Sequence, residues 1–173
     1  MGLLGGLRKH PCSLAESRGG IARHIERFRR EHQELVRELR QLDRAITVLI
    51  ASESKPAHAL DILERLRVLL QERVLPHCAR EKEVFSAALR EMGISARQLQ
   101  ELLFEDRSLH REYRRLRKVL SRRAPAETIR SRDLLDLLRM GEQMIARVLE
   151  HIRSEESVLF PVLGDDPKRP SLV

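Results

Sequence analysis

Two histidine–glutamate pairs occupy positions where a helical repeat of apolar residues would predict leucine or isoleucine. His77 is followed by Glu81, and His151 is followed by Glu155. Residues four apart lie on one face of an α-helix at a separation of about 6 Å, so each pair can direct a nitrogen and a carboxylate oxygen to one point. Burying an ionised carboxylate costs several kcal/mol unless a cation compensates it. The two pairs therefore predict a metal site.

Two further histidines are expected at the same height. His32 fills a gap in an apolar helical stripe, and His110 lies towards the edge of another. Each helical residue rises about 1.5 Å, and the residue counts to the adjoining segment ends place His32, His77 and His110 at one level in antiparallel neighbours. His151 reaches that level if the 123–131 connection absorbs the difference. We therefore expect a layer of histidines and carboxylates.

Helical periodicity predicts the elements that position this layer. Four amphipathic segments are expected at about 21–51, 57–91, 96–122 and 132–163, with a kink at Pro76. Short connections between them predict an all-α, antiparallel up-down four-helix bundle. For the second and fourth segments the predicted core positions are Ile62, Leu66, Leu70, Val74, Val84, Ala88, Leu134, Leu137, Met144, Val148, Ile152, Leu159 and Val162.

Length and composition limit the class of protein. The 173 residues, 42% hydrophobic and 34% charged, suit one domain, which we divide into an extension (1–20), the bundle (21–163) and a tail (164–173). No apolar run approaches membrane-spanning length and no signal peptide is evident, so a cytoplasmic protein without membrane contact is expected. Cys12 and Cys78 form no CxxC motif, and Cys78, next to His77, is expected to point away from the metal.

The types of donor atom limit which metals the site can bind. Imidazole nitrogens and carboxylate oxygens suit iron, manganese or zinc. Six ligands exceed the number that a tetrahedral zinc site uses, and two bridging carboxylates would make the site dinuclear. Ferritin-like di-iron bundles use Glu-x-x-His, whereas this chain has His-x-x-x-Glu, so another type of bundle is indicated.

The chain resembles the hemerythrin-like (HHE cation-binding) family over about residues 21–163. The matching stretches are EHQEL around His32, HCAREKEVF at His77, LHREYRRL around His110 and HIRSEESVLFPVL at His151. The resemblance implies a four-helix bundle with two iron ions in an oxo- or hydroxo-bridged non-haem centre. It implies four terminal histidine ligands and two bridging glutamates, namely His32, His77, His110, His151, Glu81 and Glu155.

One departure from the oxygen carriers of that family concerns the third helix. They have a second histidine there, where this chain has Arg114. The set of four histidines and two glutamates is similar to that of bacterial members, including the metal-binding domain of repair of iron centres proteins. The 1–20 segment is too short for the additional cysteine-containing domain of those proteins.

These features lead to three functional hypotheses. The first is a di-iron protein that binds or reacts with O2, NO or peroxide, in sensing or handling oxygen, NO or iron stress. The second is an iron donor for repair of Fe–S clusters, or an enzyme that reduces NO or peroxide. The third is a basic helical nucleic-acid-binding module with an incidental metal site. Whether the protein is an enzyme, and which redox partner it uses, is left open.

Several residues around the layer have competing interpretations. His24 and Tyr113 are candidates for a supporting role, against a surface and a core position respectively. Glu156 is expected to face solvent, and its loss to be tolerated. A basic run is expected to form a solvated helix face, and the scarcity of aromatic residues argues against nucleic acid as its partner. Its members are Arg107, Arg111, Arg114, Arg115, Arg117, Lys118, Arg122 and Arg123.

Overall fold

The computed structural model describes residues 11–52, 56–91, 96–121 and 131–164, with the side chains of 11–19, 91, 96–108 and 131 outside the described set. All elements are helical, and two of the four long helices contain a π-helical turn. The elements are α1 (Pro11–Ala51), α2 (Pro56–Leu69), π1 (Leu70–Val74), α3 (Leu75–Glu91), α4 (Ala96–Ser121), α5 (Ser131–Ser154), π2 (Glu155–Leu159) and α6 (Phe160–Gly164). The second long helix is α2–π1–α3, and the fourth is α5–π2–α6.

The four long helices form an up-down bundle, which confirms the predicted all-α fold. The first and third each pack against both the second and the fourth, so the helices form a ring. Phe28 in the first half of α1 packs with Phe85 and Phe160 near the C-terminal ends of the second and fourth helices. Leu49, at the other end of α1, belongs to the same cluster as Leu134 at the start of α5. Neighbouring helices therefore run antiparallel.

A polar layer divides the core of the described part of the chain. On one side is a large aliphatic cluster that extends to the far end of the bundle. On the other is a smaller cluster that contains Phe28, Phe85 and Phe160. The buried polar and charged residues come from the positions between them, and they are His32, His77, Glu81, His151 and Glu155. Apolar packing on both sides thus determines the height of the predicted ligands.

The first helix begins earlier than the apolar periodicity predicts. α1 starts at Pro11, ten residues before the expected start at Ile21. Proline suits the first helical position because its fixed φ matches the helix and its missing N–H would have no helical partner there. The proposed division into extension, bundle and tail stays a prediction. None of the described helices is long and apolar enough to cross a membrane.

The two π turns occur at equivalent places relative to a proline. The Leu75 N–H bonds to the carbonyl of Leu70, and the Phe160 N–H bonds to the carbonyl of Glu155. The next residue is a proline in each case, Pro76 and Pro161. Proline cannot donate a bond, and its ring crowds the carbonyl four residues earlier, so a locally widened turn accommodates it. The irregularity predicted at Pro76 therefore takes the form of a π turn.

Each π turn also changes which residues face the core. One extra residue per turn shifts the buried stripe by one position beyond it. Val84 is only partly buried, whereas Phe85 is fully buried. Val162 is 49% exposed, and Leu163 is buried instead. The prediction that Val162 lies in the core is therefore wrong, because it continued an unbroken α-helical repeat through residues 155–159.

Candidate metal centre

A first group of four buried side chains brings its donor atoms together. His32, His77, Glu81 and Glu155 each offer one ligand atom, and these atoms all lie within 4.8 Å of one another. His32 Nε2 lies 3.1 Å from Glu81 Oε1 and 3.4 Å from Glu155 Oε2. His77 Nε2 lies 3.0 Å from the same Glu81 oxygen. Three helices thus supply two imidazoles and two carboxylates at one point.

A second group lies beside the first and shares a residue with it. Ligand atoms of Cys78, Glu81 and His151 also lie within 4.8 Å of one another, and all three residues are buried. His151 Nε2 is 3.2 Å from Glu155 Oε1. Glu81 therefore belongs to both groups, while the two oxygens of Glu155 lie near His32 and His151. This is the arrangement expected of carboxylates that span two positions.

The position of Cys78 overturns the expectation that it points away from the site. Successive α-helical residues are about 100° apart around the axis. Relative to His77, Cys78 therefore lies at about 100° and Glu81 at about 40°. Glu81 projects between them, so both neighbours can approach it from opposite sides. The expectation that Cys78 points away was wrong because it compared Cys78 with His77 and not with Glu81.

Unpartnered buried atoms indicate that these residues fit a cation. Among the described residues, five buried side-chain atoms lack a hydrogen-bond partner, and three belong to the first group: His77 Nε2, Glu81 Oε2 and Glu155 Oε2. Leaving such atoms unsatisfied costs about 1–3 kcal/mol each, and more for charged groups. Arg73, one of the arginines near this level, instead forms ion pairs with Glu34 and Glu38. A metal ion is the natural partner for such a donor set.

Without metal, protons partly compensate the buried charges. Burial lowers the pKa of His32, but the carboxylates of Glu155 and Glu81 outweigh it and raise that pKa to about 10. Burial acts to raise the pKa of Glu81, but His32 and His77 overcome it and lower that pKa to about 2. For Glu155, burial and the nearby Glu81 charge raise the pKa. Metal binding must therefore displace a proton from His32 Nε2.

Both imidazoles of the first group have a second carboxylate partner on their other nitrogen. His32 Nδ1 donates to Glu156 Oε1 at 3.1 Å, and His77 Nδ1 donates to Glu31 Oε2 at 2.7 Å. Histidines that bind metals usually donate their second N–H in this way, which sets the tautomer and the ring orientation. The Nε2 atom of each ring faces the site and is therefore the nitrogen that can coordinate a metal.

The supporting role of Glu31 and Glu156 was not predicted from the sequence. The Glu156 side chain is 43% exposed, so it does face solvent as expected, yet its carboxylate contacts His32. The expectation that substitution of Glu156 is tolerated therefore has no structural support. π2 begins at Glu155, and its wider turn rotates the chain less per residue, so two consecutive glutamates can reach one imidazole. The available signal was that Glu31 is adjacent to His32 and Glu156 is adjacent to Glu155.

Two arginines hold Glu31 in its anionic form. Arg27 Nε lies 2.9 Å from Glu31 Oε1, and an Arg80 guanidinium nitrogen lies 2.6 Å from Oε2. Partial burial tends to raise the pKa of Glu31, but hydrogen bonds from His77, Arg27 and Arg80 lower it to about 2. The partner of His77 is thus itself fixed in place.

Aromatic rings enclose the first group on the side of the smaller cluster. Phe160 stacks parallel to His32 with ring centroids 5.4 Å apart, and Phe28 meets His77 edge-on at 5.5 Å. Phe85 lies against both phenylalanines. Phe85 and Phe160 were not among the core residues predicted from the sequence. These rings orient the imidazoles and exclude water from one side of the site.

His110 lies outside both groups of ligand atoms. In α4 the buried positions at this level belong to Leu109 and Tyr113, and His110 is half-buried beside them. This agrees with its predicted place at the edge of the stripe. Its role as a ligand stays a prediction.

The two candidates for a supporting role make their contacts elsewhere. Tyr113 is buried in the aliphatic cluster, and its hydroxyl donates to Gln71 Oε1 at 2.7 Å. His24 is exposed, and its ring lies 6.3 Å from that of Phe28. The core and surface positions weighed for these two residues therefore match the structure.

The basic face of α4 is solvated, as expected. The members of the run whose side chains are described are all exposed, and they are Arg111, Arg114, Arg115, Arg117 and Lys118. Arg107, Arg122 and Arg123 lie outside the described side chains.

Comparison with known proteins identifies the family of this chain. Neither curated proteins nor solved structures produced a match. The family model of the hemerythrin HHE cation-binding domain matches residues 23–163, a span that contains every residue of both ligand groups. The chain therefore belongs to the hemerythrin HHE cation-binding domain family.

Proposed function

We propose that this protein holds a non-haem di-iron centre that binds or reacts with a small ligand, O2, NO or peroxide. The observation that carries the proposal is the sharing of both carboxylates. Glu81 belongs to both ligand groups, and Glu155 places one oxygen 3.4 Å from His32 Nε2 and the other 3.2 Å from His151 Nε2. Carboxylates in such positions can bridge two cations.

The donor types favour iron over zinc. Imidazole and carboxylate donors suit iron, manganese or zinc, but the combined groups offer more donors than a tetrahedral zinc ion uses. Iron, unlike zinc, would also supply both Lewis acidity and electrons to a small ligand when bound. Manganese suits the same donors, so metal analysis must distinguish it from iron.

The residues of the chain perform three tasks in this function. Glu31 and Glu156 orient the imidazoles of His77 and His32 by accepting hydrogen bonds from their Nδ1–H groups. Phe28 and the other aromatic residues of the smaller cluster exclude water on one side. His32 Nε2 holds a proton in the metal-free protein and releases it when a cation binds, so a positive charge faces the buried carboxylates in both states.

A surface cavity lies beside Glu156, one of the residues that support the layer. Its volume is about 420 Å³, and it is lined by Val36, Arg40, Leu149, Ile152, Arg153, Glu156 and Ser157. Glu156 both lines this cavity and contacts His32. A ligand entering here is therefore one side chain away from the first group. This access supports handling or sensing of diatomic or peroxidic ligands.

The test is anaerobic reconstitution with Fe(II), followed by metal analysis and the ultraviolet–visible spectrum under air and then under NO. We expect about two iron ions per chain and charge-transfer bands that respond to the gas. Glu155→Ala should abolish retention of the iron pair, whereas Glu150→Ala, an exposed control on the same helix, should not. Less than one iron per chain in the parent protein, with no effect of Glu155→Ala, would falsify the proposal.

A further inference from the structure

The second ligand group contains a thiol, which is not part of the histidine and glutamate set considered so far. Cys78 is buried, with 5% of its surface exposed, and its Sγ lies within 4.8 Å of ligand atoms of Glu81 and His151. The three residues come from two different long helices. The thiol is therefore placed by the packing of the bundle, not only by its neighbours in sequence.

Helical geometry explains how Cys78 can face the site although it is next to His77. Glu81 is three residues after Cys78 and four after His77, so it lies on a shared face with each of them. In angular terms it is about 60° from Cys78 and about 40° from His77. The carboxylate thus divides the site into a His77 side and a Cys78 side.

A second observation indicates that one oxygen of Glu81 remains free to bind a cation. Glu81 is only 2% exposed, and its Oε2 has no hydrogen-bond partner in the described part of the chain. Glu155 Oε2 is in the same condition. Two buried carboxylates with unsatisfied oxygens require positive charge nearby.

The charge balance favours a third anionic donor. Two divalent cations bring four positive charges, of which Glu81 and Glu155 balance two. A thiol that coordinates a metal is deprotonated outright, so Cys78 would balance a third charge. The S–H bond breaks as the metal–sulfur bond forms, and the proton leaves to solvent. In a buried site this reduces the uncompensated charge that must be stabilised.

We propose that Cys78 is a thiolate ligand of the cation held by His151 and Glu81. The inference rests on the proposed two-metal site and adds a ligand to it. The two metal positions then differ in chemistry: one has imidazole and carboxylate donors from His32 and His77 with the shared glutamates, and the other includes sulfur. A thiolate donor selects softer divalent ions, so the two positions differ in metal preference.

Titration of the metal-free full chain with Co(II) tests the ligand directly, because thiolate coordination produces a charge-transfer band in the near ultraviolet. We expect this band in the parent protein, and its loss in Cys78→Ser and Cys78→Ala. The second Co(II) should also bind more weakly in these variants, by at least the roughly 10-fold typical of even outer-shell changes. Cys12→Ser is the matched control, and it should retain both the band and the stoichiometry.

Each outcome decides the matter. Two bound Co(II) ions without a thiolate band in the parent protein would overturn the role of Cys78 and leave the proposed di-metal function intact. Failure to bind Co(II) and Fe(II) at all would overturn both. A band that survives in Cys78→Ser but disappears in Cys12→Ser would show that Cys12 is the thiolate ligand, and would overturn the proposal for Cys78. The parent protein must itself show the band, so the proposal can be overturned even if the Cys78 variants do not fold.

Discussion

The two sides of the polar layer are built differently. On the His32 and His77 side, both imidazoles donate Nδ1 to a carboxylate and pack against phenylalanine rings. On the other side, Cys78 and His151 approach the shared Glu81, and Cys78 belongs to the aliphatic cluster. The first side has oriented rings with polar supports, and the second has a compact thiol among aliphatic side chains.

This difference indicates separate contributions to one centre. Hydrogen bonds at Nδ1 raise the basicity of an imidazole and hold it ready for a metal. A thiolate needs no such orientation, because sulfur accepts a metal over a wide range of directions. We therefore expect the His32 and His77 side to depend on its supporting residues. The Cys78 side should depend on the ligand itself.

The largest expected effect comes from removing what the two sides share. Glu81→Gln retains the size of the side chain but removes its charge from both ligand groups. We expect iron retained after anaerobic reconstitution and desalting to fall from about two ions per chain to less than one, as measured by metal analysis. Glu83→Gln is the matched control, because Glu83 is exposed on the same helix. Full iron retention by Glu81→Gln would contradict a shared carboxylate.

The aromatic wall provides the next largest effect, on stability of the metal-free protein. Phe160 is 1% exposed and stacks on His32, so Phe160→Ala removes a ring from a packed cluster. Such truncations cost about 3–5 kcal/mol in the free energy of unfolding, which urea denaturation measures. Val158→Ala, two residues earlier in π2 and 50% exposed, should change it by less than about 0.5 kcal/mol. Equal effects of the two would show that the wall does not pack as described.

The supporting carboxylates are expected to have an intermediate effect. Glu31→Ala and Glu156→Ala each remove the partner of an Nδ1–H, and such losses typically weaken metal binding by about 10–100-fold. Competition with a chelator of known affinity measures this change. Glu26→Ala is the control, because its carboxylate is exposed and pairs with Arg29. Unchanged affinity in both variants would remove the basis for treating the His32 and His77 side as pre-oriented.

The last prediction concerns the dependence of metal-free stability on pH. The pKa of His32 is raised from 6.5 to about 10, so its contribution to stability is fully present below 6.5 and is lost as pH rises towards 10. The raised pKa of Glu155 acts in the same direction. The lowered pKa of Glu81 has the opposite sign, since its contribution is lost only as pH falls from 4.5 towards 2.

Thermal unfolding of metal-free protein should therefore occur at lower temperature as pH rises from 6.5 towards 10. Metal-loaded protein should show a weaker trend, because a cation replaces the proton on His32 Nε2. His32→Gln should remove most of the dependence. A melting temperature of the metal-free protein that is independent of pH in this range would contradict the charge state described for His32.

Most of the fold and part of the site were predictable from periodicity. An i, i+4 pair is a local property of a helix, so His77 with Glu81 and His151 with Glu155 could be identified without knowledge of packing. The common height of His77 and His32 followed from counting residues along antiparallel helices, whereas that of His151 did not. Cys78 was misjudged because its position depends on where Glu81 projects between two neighbours. The partnership of His32 with Glu156 depends on contact between helices, which local spacing does not describe.

Amphipathic patterning alone determined that this chain forms four antiparallel helices and that buried carboxylates lie in their core. Tertiary structure decided three further matters. These are which residues face the core beyond each proline, which acidic residues support the imidazoles, and that a thiol joins the layer. The last two matters depend on contacts between helices, and the first has its physical reason in the π turns at 70–74 and 155–159, which shift the second and fourth helices by one residue. Such a shift is negligible for the fold but decisive for which side chains meet.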